Sequence, residues 1–255
     1  MLLAVDIGNT NINSAVIDNK GKILKKFTIN PHSTDAVERG FHCVSGTGVS
    51  RGWEIEEVVI VSVAPEILRK VKRGLRKQFR RARIIIVGRD VKVPMKCLYS
   101  KGQIGQDRLI TAFAASSLYG LPALIIDFGT AVTFDVVSGK MTYLGGLIVP
   151  GVKMSLESLH DRTAMLPKTY LRKTRLLIGR DTASSIRSGM IYGYGALCKG
   201  LVKLFKKKLG KNIKIVATGG DAPLLTRHVP SVKNIDLNLS LKGLYLLSKK
   251  FQKNT

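Results

Sequence analysis

Cysteine is scarce in this chain of 255 residues: Cys43, Cys97 and Cys198 are odd in number and far apart. That argues against both a disulfide framework and a zinc cluster, and makes a reducing cytoplasm the simplest setting. No apolar run reaches the ~20 residues that span a bilayer, so no membrane segment is expected. The chain starts on the strand-like Leu2-Leu3-Ala4-Val5, without a charged leader or small-residue cleavage site, so no signal peptide is expected. Neither a Walker A lysine loop nor a kinase-type glycine-rich loop occurs, so any phosphate must be held by other turns. Acid is also scarce. Against 42 Lys and Arg stand 17 Asp and Glu, for a net charge of +25. Such an excess adds weight to nucleic-acid binding. The remainder is ordinary globular material, with 45% hydrophobic residues, ample for one large domain or two moderate lobes.

What the chain does contain is organised around Asp6-Ile7-Gly8-Asn9-Thr10-Asn11. Apolar runs flank this stretch, Leu2 to Val5 before it and Ile12 to Ile17 after it. They read as a buried strand and its hairpin partner. Gly8 lets a ligand approach the backbone, while Asn9, Thr10 and Asn11 add short donors and acceptors. Asp6, at the strand end, can hold a cation. Amides, hydroxyls and a carboxylate together suit a phosphate and its metal, although Asp, Gly and Asn also make ordinary turns. The pattern recurs. Asp127-Phe128-Gly129-Thr130 follows Ala123 to Ile126 and precedes Ala131 to Val137; from 6 to 127 the offset is 121 residues. A repeat of that size suggests two similar α/β lobes, 1–118 and 119–255, rather than a solenoid. A third glycine turn, Thr218-Gly219-Gly220, follows the apolar run Ile213 to Val216. Two acidic hairpins and this turn would place a nucleotide between the lobes.

The densest basic block runs from Arg69 to Arg83. Its apolar members Ile67, Leu68, Val71, Leu75 and Phe79 recur at helical spacing, which favours a solvated helix face over a recognition helix. Lys203, Lys206, Lys207, Lys208 and Lys211 form a second basic face. Attraction of anionic ligands and a generally basic proteome account for the charge equally well. Further strands are expected over Ile23–Ile29, Val58–Val63 and Ile84–Val87, with helices over Leu109–Leu118, Val152–Leu159 and Leu239–Phe251. Pro31 to Trp53 reads as loop with a short helix, its His32 and His42 on the surface. Tyr143-Leu144-Gly145-Gly146 reads as the close of a strand, and Thr163 to Leu177 as a basic exposed segment. Thr182 to Leu209 reads as helix in two parts. Gly189, Gly193, Gly195 and Gly200 within it point either to ligand approach or to tight helix packing.

Asp107 follows Gly105 and Gln106 and precedes Arg108. A carboxylate at a helix N-terminus beside a glycine can orient a hydroxyl and accept its proton, and the neighbouring guanidinium can bind a carboxylate or phosphoryl group. Alone, the pair reads as a helix cap beside a surface Arg. Taken with Ser62-Val63-Ala64-Pro65, Gly145-Gly146-Leu147-Ile148-Val149-Pro150-Gly151, Gly179-Arg180-Asp181-Thr182 and the turns above, in this order, the chain resembles the type III pantothenate kinases. That family belongs to the superfamily of acetate and sugar kinases, Hsp70 and actin. The resemblance implies an α/β fold of two actin-like (ribonuclease H-like) lobes from an internal duplication, with the active site in the cleft between them.

It also implies roles. Asp6, Ile7, Gly8, Asn9, Thr10, Asn11, Ile12 and Asn13 form the first ATP phosphate loop, with Thr130, Gly219 and Gly220 also at the nucleotide. Asp107 accepts the proton of the pantothenate hydroxyl. Tyr99, Gly105, Gln106, Arg108 and Thr182 contact pantothenate. Asp127 binds a monovalent cation, K⁺ or NH₄⁺, and Mg²⁺ arrives with ATP, with Asp6 as a contact. A cytoplasmic homodimer is implied, and the dimer helps to complete the pantothenate site. The expected activity is ATP-dependent phosphorylation of pantothenate, the first step of coenzyme A synthesis. Two alternatives stand beside it: a regulatory or nucleic-acid-binding protein on the same fold, and a kinase for another small hydroxyl compound. The set Asp6, Asp107, Arg108 and Asp127 argues against lost catalysis, so nucleic acid is expected to bind only non-specifically, if at all.

Overall fold

The computed structural model describes residues 1–33, 41, 53–100 and 102–252. Most of the loop expected between Pro31 and Trp53, with His42 and Cys43, lies outside the described residues. The chain forms two compact units. Met1–Met95, Ser100–Ala114 and Asn238–Thr255 make the first; Lys96–Tyr99 and Ala115–Leu237 make the second.

The first unit is built on five strands: β1 (Leu2–Ile7), β2 (Ile12–Ile17), β3 (Ile23–Ile29), β4 (Glu57–Ser62) and β5 (Arg83–Ile86). Their order is β3-β2-β1-β4-β5. β1 pairs antiparallel with β2 and parallel with β4. Its central place explains its composition. Leu3, Ala4, Val5 and Ile7 are fully buried, as a strand covered on both faces requires. β3, at the edge, alternates half-buried and exposed positions. Helix α1 (Pro65–Gln78) opens on proline, whose missing N–H costs nothing there. It buries Val71 and Leu75 and leaves Arg69, Lys70, Arg73, Arg76 and Lys77 exposed, the solvated face that the spacing predicts.

Helix α2 (Gln106–Tyr119) starts in the first unit, and the C-terminal helix, Leu239–Gln252, lies against β1, β2 and β4. Three attachments hold that last helix to the unit. Tyr245 donates its hydroxyl to the Asn19 carbonyl at 3.0 Å, and Ser248 donates to the buried Glu57 carboxylate, which also pairs with Arg83. Gly243 meets α2 so closely that a Cβ there would lie 2.7 Å from the Ile110 carbonyl oxygen. Only a residue without a side chain permits that crossing.

The second unit repeats the plan. β7 (Ala123–Phe128), β8 (Ala131–Val137) and β9 (Thr142–Pro150) form an antiparallel meander, and β10 (Lys214–Thr218) runs parallel to β7 with β11 (Asn234–Ile235) beyond it. The order β9-β8-β7-β10-β11 mirrors that of the first sheet, with β6 (Lys96–Cys97) added on the β9 edge. The expected strand end at Tyr143 to Gly146 is instead part of β9, which runs on to Pro150; Gly145, at φ +122°, accommodates the irregularity within it.

Helix α3 (Val152–Asp161) follows, then a stretch without regular structure, then α4 (Thr182–Leu209). α4 is one continuous helix of 28 residues, not two parts. Asp181 caps it through the Ser184 amide at 2.8 Å, in a reciprocal capping box. Within it Gly189, Gly193 and Gly200 face open space, while Gly195 makes room for His228. The helix α5 (Ala222–Leu225) packs against it. Cys198 is on the buried face of α4, and burial pushes its thiol up to about 12, so it stays protonated; Cys97 is also free. No helix among the described residues is long and apolar enough to cross a membrane.

Candidate active site

In the first unit, β1 and β2 meet in a tight turn. Asp6 pairs with Asn13 and Ile7 with Ile12, and the Gly8 amide donates to the Asn11 carbonyl at 3.0 Å. Ile7 and Ile12 are wholly buried, so only their backbone can serve a ligand. Asn9 and Asn11 are exposed, with Gly8 and Thr10 half-buried between them. The Asn13 side chain accepts from the Thr28 hydroxyl at 3.0 Å. The turn therefore offers short polar groups at the end of a rigid strand.

Asp6 is the unusual group of this turn. Desolvation pushes its carboxyl up to about 6 from an ordinary 3.8; a hydrogen bond from Ser240 opposes the shift, and the negative field of Asp107 adds to it. Asp107 itself lies in the first turn of α2, where the helix favours an anion. Gly105 is obligatory beside it: a Cβ there would come 2.3 Å from the Asp107 Oδ1. The Gln106 side chain packs over Gly88, and the Thr111 hydroxyl donates to the Asp107 carbonyl at 2.8 Å, which ties down the first turn of α2. Arg108 is half-buried. The first unit thus assembles Asp6, Gly105, Gln106, Asp107 and Arg108.

In the second unit, the β7–β8 turn repeats the first: Asp127 pairs with Thr133, and the Gly129 amide donates to the Ala131 carbonyl at 3.2 Å. Two glycines crowd it. Gly219, at φ +89°, would put a Cβ 2.4 Å from the Asp127 Oδ1, and Gly151 would put one 2.2 Å from the Thr130 carbonyl oxygen. Thr130 and Gly220 are exposed. Tyr99 belongs to this unit and stands edge-on to Tyr143 at 5.8 Å, with Gly145 beneath its ring. Tyr143 in turn donates to the buried Asp135. Thr182 is exposed, first in α4.

Three residues escape sequence reading. Ser240 bonds Asp6 from the far end of the chain, and no local motif announces it. Gly151 was part of a longer motif, but its contact with the Thr130 turn shows only in three dimensions. Asp221, half-buried after Gly220, has its carboxyl raised by desolvation. Among the described residues no group of three or more His, Cys, Asp or Glu could hold a metal alone. Any cation here would rest on one or two carboxylates plus oxygens brought by a ligand.

Comparison with known proteins bears on the family and the fold. A family model described as type III pantothenate kinase matches residues 2–204. The type III pantothenate kinase of Rhodospirillum rubrum is 36% identical over 256 residues, covering 99% of each chain. Among solved structures, a Campylobacter jejuni protein named for the Baf family of transcriptional activators has a TM-score of 0.60 at 19% identity, covering 98% of this chain and 99% of its own. A ROK family glucokinase from Streptomyces griseus, in complex with glucose and AMPPNP, has a TM-score of 0.51 at 14% identity, covering 97% and 99%. At such identities the last two speak for the fold alone.

The raised carboxyl of Asp6 has a measurable consequence. The folded protein holds that proton up to about 6, whereas the unfolded chain releases it near 3.8. The stability Asp6 contributes is therefore complete below about 4 and is lost as pH rises through about 6. At neutral pH the charged form costs up to about 3 kcal/mol, less where water still reaches the half-buried carboxylate. Ligand-free Asp6→Asn is expected to be more stable than wild type in urea at neutral pH, with the advantage gone near pH 4. A gap of the same size at both pH values would contradict a desolvated Asp6.

Proposed function

The chain belongs to the type III pantothenate kinase family, and on that premise we propose how its residues divide the work. It is a phosphotransferase that moves the γ-phosphoryl group of ATP to pantothenate, giving 4'-phosphopantothenate in the first step of coenzyme A synthesis. The observation that carries the residue assignment is the gathering, in one unit, of a desolvated Asp6 and an Asp107 seated at a helix N-terminus over a glycine.

Phosphoryl transfer asks the protein for position and charge neutralisation rather than covalent chemistry. Asp107 orients the primary hydroxyl of pantothenate and takes its proton as the oxygen bonds to the γ-phosphorus and the bond to the β-phosphate oxygen breaks, releasing ADP. Arg108 pairs with the pantothenate carboxylate. Tyr99, Gly105, Gln106 and Thr182 make the remaining substrate contacts. The turn from Asp6 to Asn13 holds ATP phosphates, with Thr130, Gly219 and Gly220 at the nucleotide. Mg²⁺ would come with ATP and neutralise phosphate charge, and Asp6 suits it because a desolvated carboxylate gains from a cation. Asp127 suits a monovalent cation, K⁺ or NH₄⁺, as a carboxylate at a strand end held against Gly219. The segments 1–118 and 119–255 are the two halves of the duplication, a reading supported by their shared strand order. The setting is cytoplasmic. Nucleic acid has no part in the reaction, and contact through faces such as α1 would fall steeply with salt.

A homodimer completes this reading. Gly189, Gly193, Ala196 and Gly200 make an exposed strip of small residues along α4, and among the described residues a Cβ at any of the three glycines would meet open space. Such a strip lets a second helix approach closely.

Four tests follow from these assignments. Asp107→Asn keeps the size of the side chain and removes its basicity, so kcat is expected to fall about 10²–10⁴-fold with ATP affinity little changed. Arg108→Ala is expected instead to raise KM for pantothenate. Wild-type turnover by Asp107→Asn would make Asp107 a cap only. Replacing K⁺ with a tetraalkylammonium ion is expected to slow the reaction, and an unchanged rate would remove the cation from Asp127. In sedimentation the wild type is expected at twice its chain mass of 27.9 kDa, and Gly193→Leu at the single mass. A wild type that sediments as a monomer would reject the dimer.

A further inference from the structure

The second unit holds a cavity of about 290 Å³ that uses none of the residues assigned to the reaction. Lys173 and Arg175 enter it from the irregular stretch before α4, Ile191 and Tyr192 from α4, and Arg227 and His228 from just beyond α5. The wall is strongly one-signed. No Asp or Glu is among the residues that line it, and none of Lys173, Arg175 and Arg227 makes an ion pair among the described residues.

The site is also braced. The Tyr192 hydroxyl donates to the Arg175 carbonyl at 3.2 Å, and its ring meets His228 edge-on at 4.8 Å. Arg227 donates through Nε to the Pro223 carbonyl at 3.1 Å, which anchors the side chain at its neck. His228 sits against Gly195, where a Cβ would come 2.5 Å from its own Cβ, so the glycine admits the ring. Lys173, Arg175 and Arg227 are exposed side chains that line the same cavity with no carboxylate in its wall, so a dianion entering it meets positive charge from more than one element. Aromatic rings and the buried Ile191 beside them favour a ligand that also carries a flat or apolar group.

We propose that this cavity binds a small phosphate monoester bearing a flat or apolar substituent, at a site separate from catalysis. Arg175 and Arg227 recognise the phosphate, with Lys173 as a third positive contact; Tyr192 and Ile191 receive the substituent.

The test uses the full chain with its nucleotide site filled by a saturating non-hydrolysable ATP analogue and Mg²⁺. Phenyl phosphate is titrated calorimetrically, beside inorganic phosphate. One phenyl phosphate per chain is expected, bound more tightly than inorganic phosphate. Arg175→Gln and Arg227→Gln are each expected to weaken it about tenfold or more while leaving kcat for pantothenate unchanged, which also shows that both variants fold. No binding once the nucleotide site is filled, an unchanged affinity in both variants, or equal affinity for inorganic phosphate would each overturn the proposal.

Discussion

The structure turns on a carboxylate held where charge is disfavoured. Asp6 ends the central strand of the first sheet, among buried apolar neighbours, and its carboxyl is pushed up to about 6. Ser240 offsets part of the penalty and Asp107 adds to it. At neutral pH this arrangement costs stability, and under the proposed function a cation brought with the nucleotide would offset that cost. The surrounding design follows. β1 must be fixed for Asp6 to be fixed, so it is paired on both sides and covered by the C-terminal helix. Asp107 Oδ1 lies so close to residue 105 that only glycine fits there.

The second unit uses the same strand order and the same turn, but surrounds its carboxylate differently. Asp127 is crowded by Gly219 from the next parallel strand, and Thr130 by Gly151. Any side chain at 151 or 219 would collide with backbone, and at 219 the positive φ adds a second demand for glycine. The duplication thus yields two related turns with different chemical surroundings, one desolvated and close to a second carboxylate, the other lined by glycine.

Much of this was legible in the amino-acid order, because short apolar runs ending in Asp-x-Gly define both hairpins before any long-range contact is considered. Strand β3 fell on its predicted residues, and α1 showed its apolar stripe beneath the basic block. The unreadable parts depend on contacts between distant segments. Periodicity predicts a helix over 239–251 but says nothing of the sheet it covers, and so hides the bond from Ser240 to Asp6. A two-residue strand, Lys96–Cys97, carries too little pattern to reveal that it joins β9 and brings Tyr99 into the second unit. The continuity of α4 was missed because glycine lowers helix propensity locally, whereas capping at Asp181 and the buried Ile191, Cys198 and Val202 sustain the helix as a whole.

The central claim is that these carboxylates serve the phosphorylation of one particular alcohol. Its most direct measurement is a product assay with ATP, Mg²⁺ and K⁺, offering pantothenate beside a panel of other small alcohols and identifying the products by mass. The account predicts a single phosphate on the primary hydroxyl of pantothenate, with the other alcohols left essentially unmodified. ATP consumed with another alcohol phosphorylated and pantothenate untouched would contradict it.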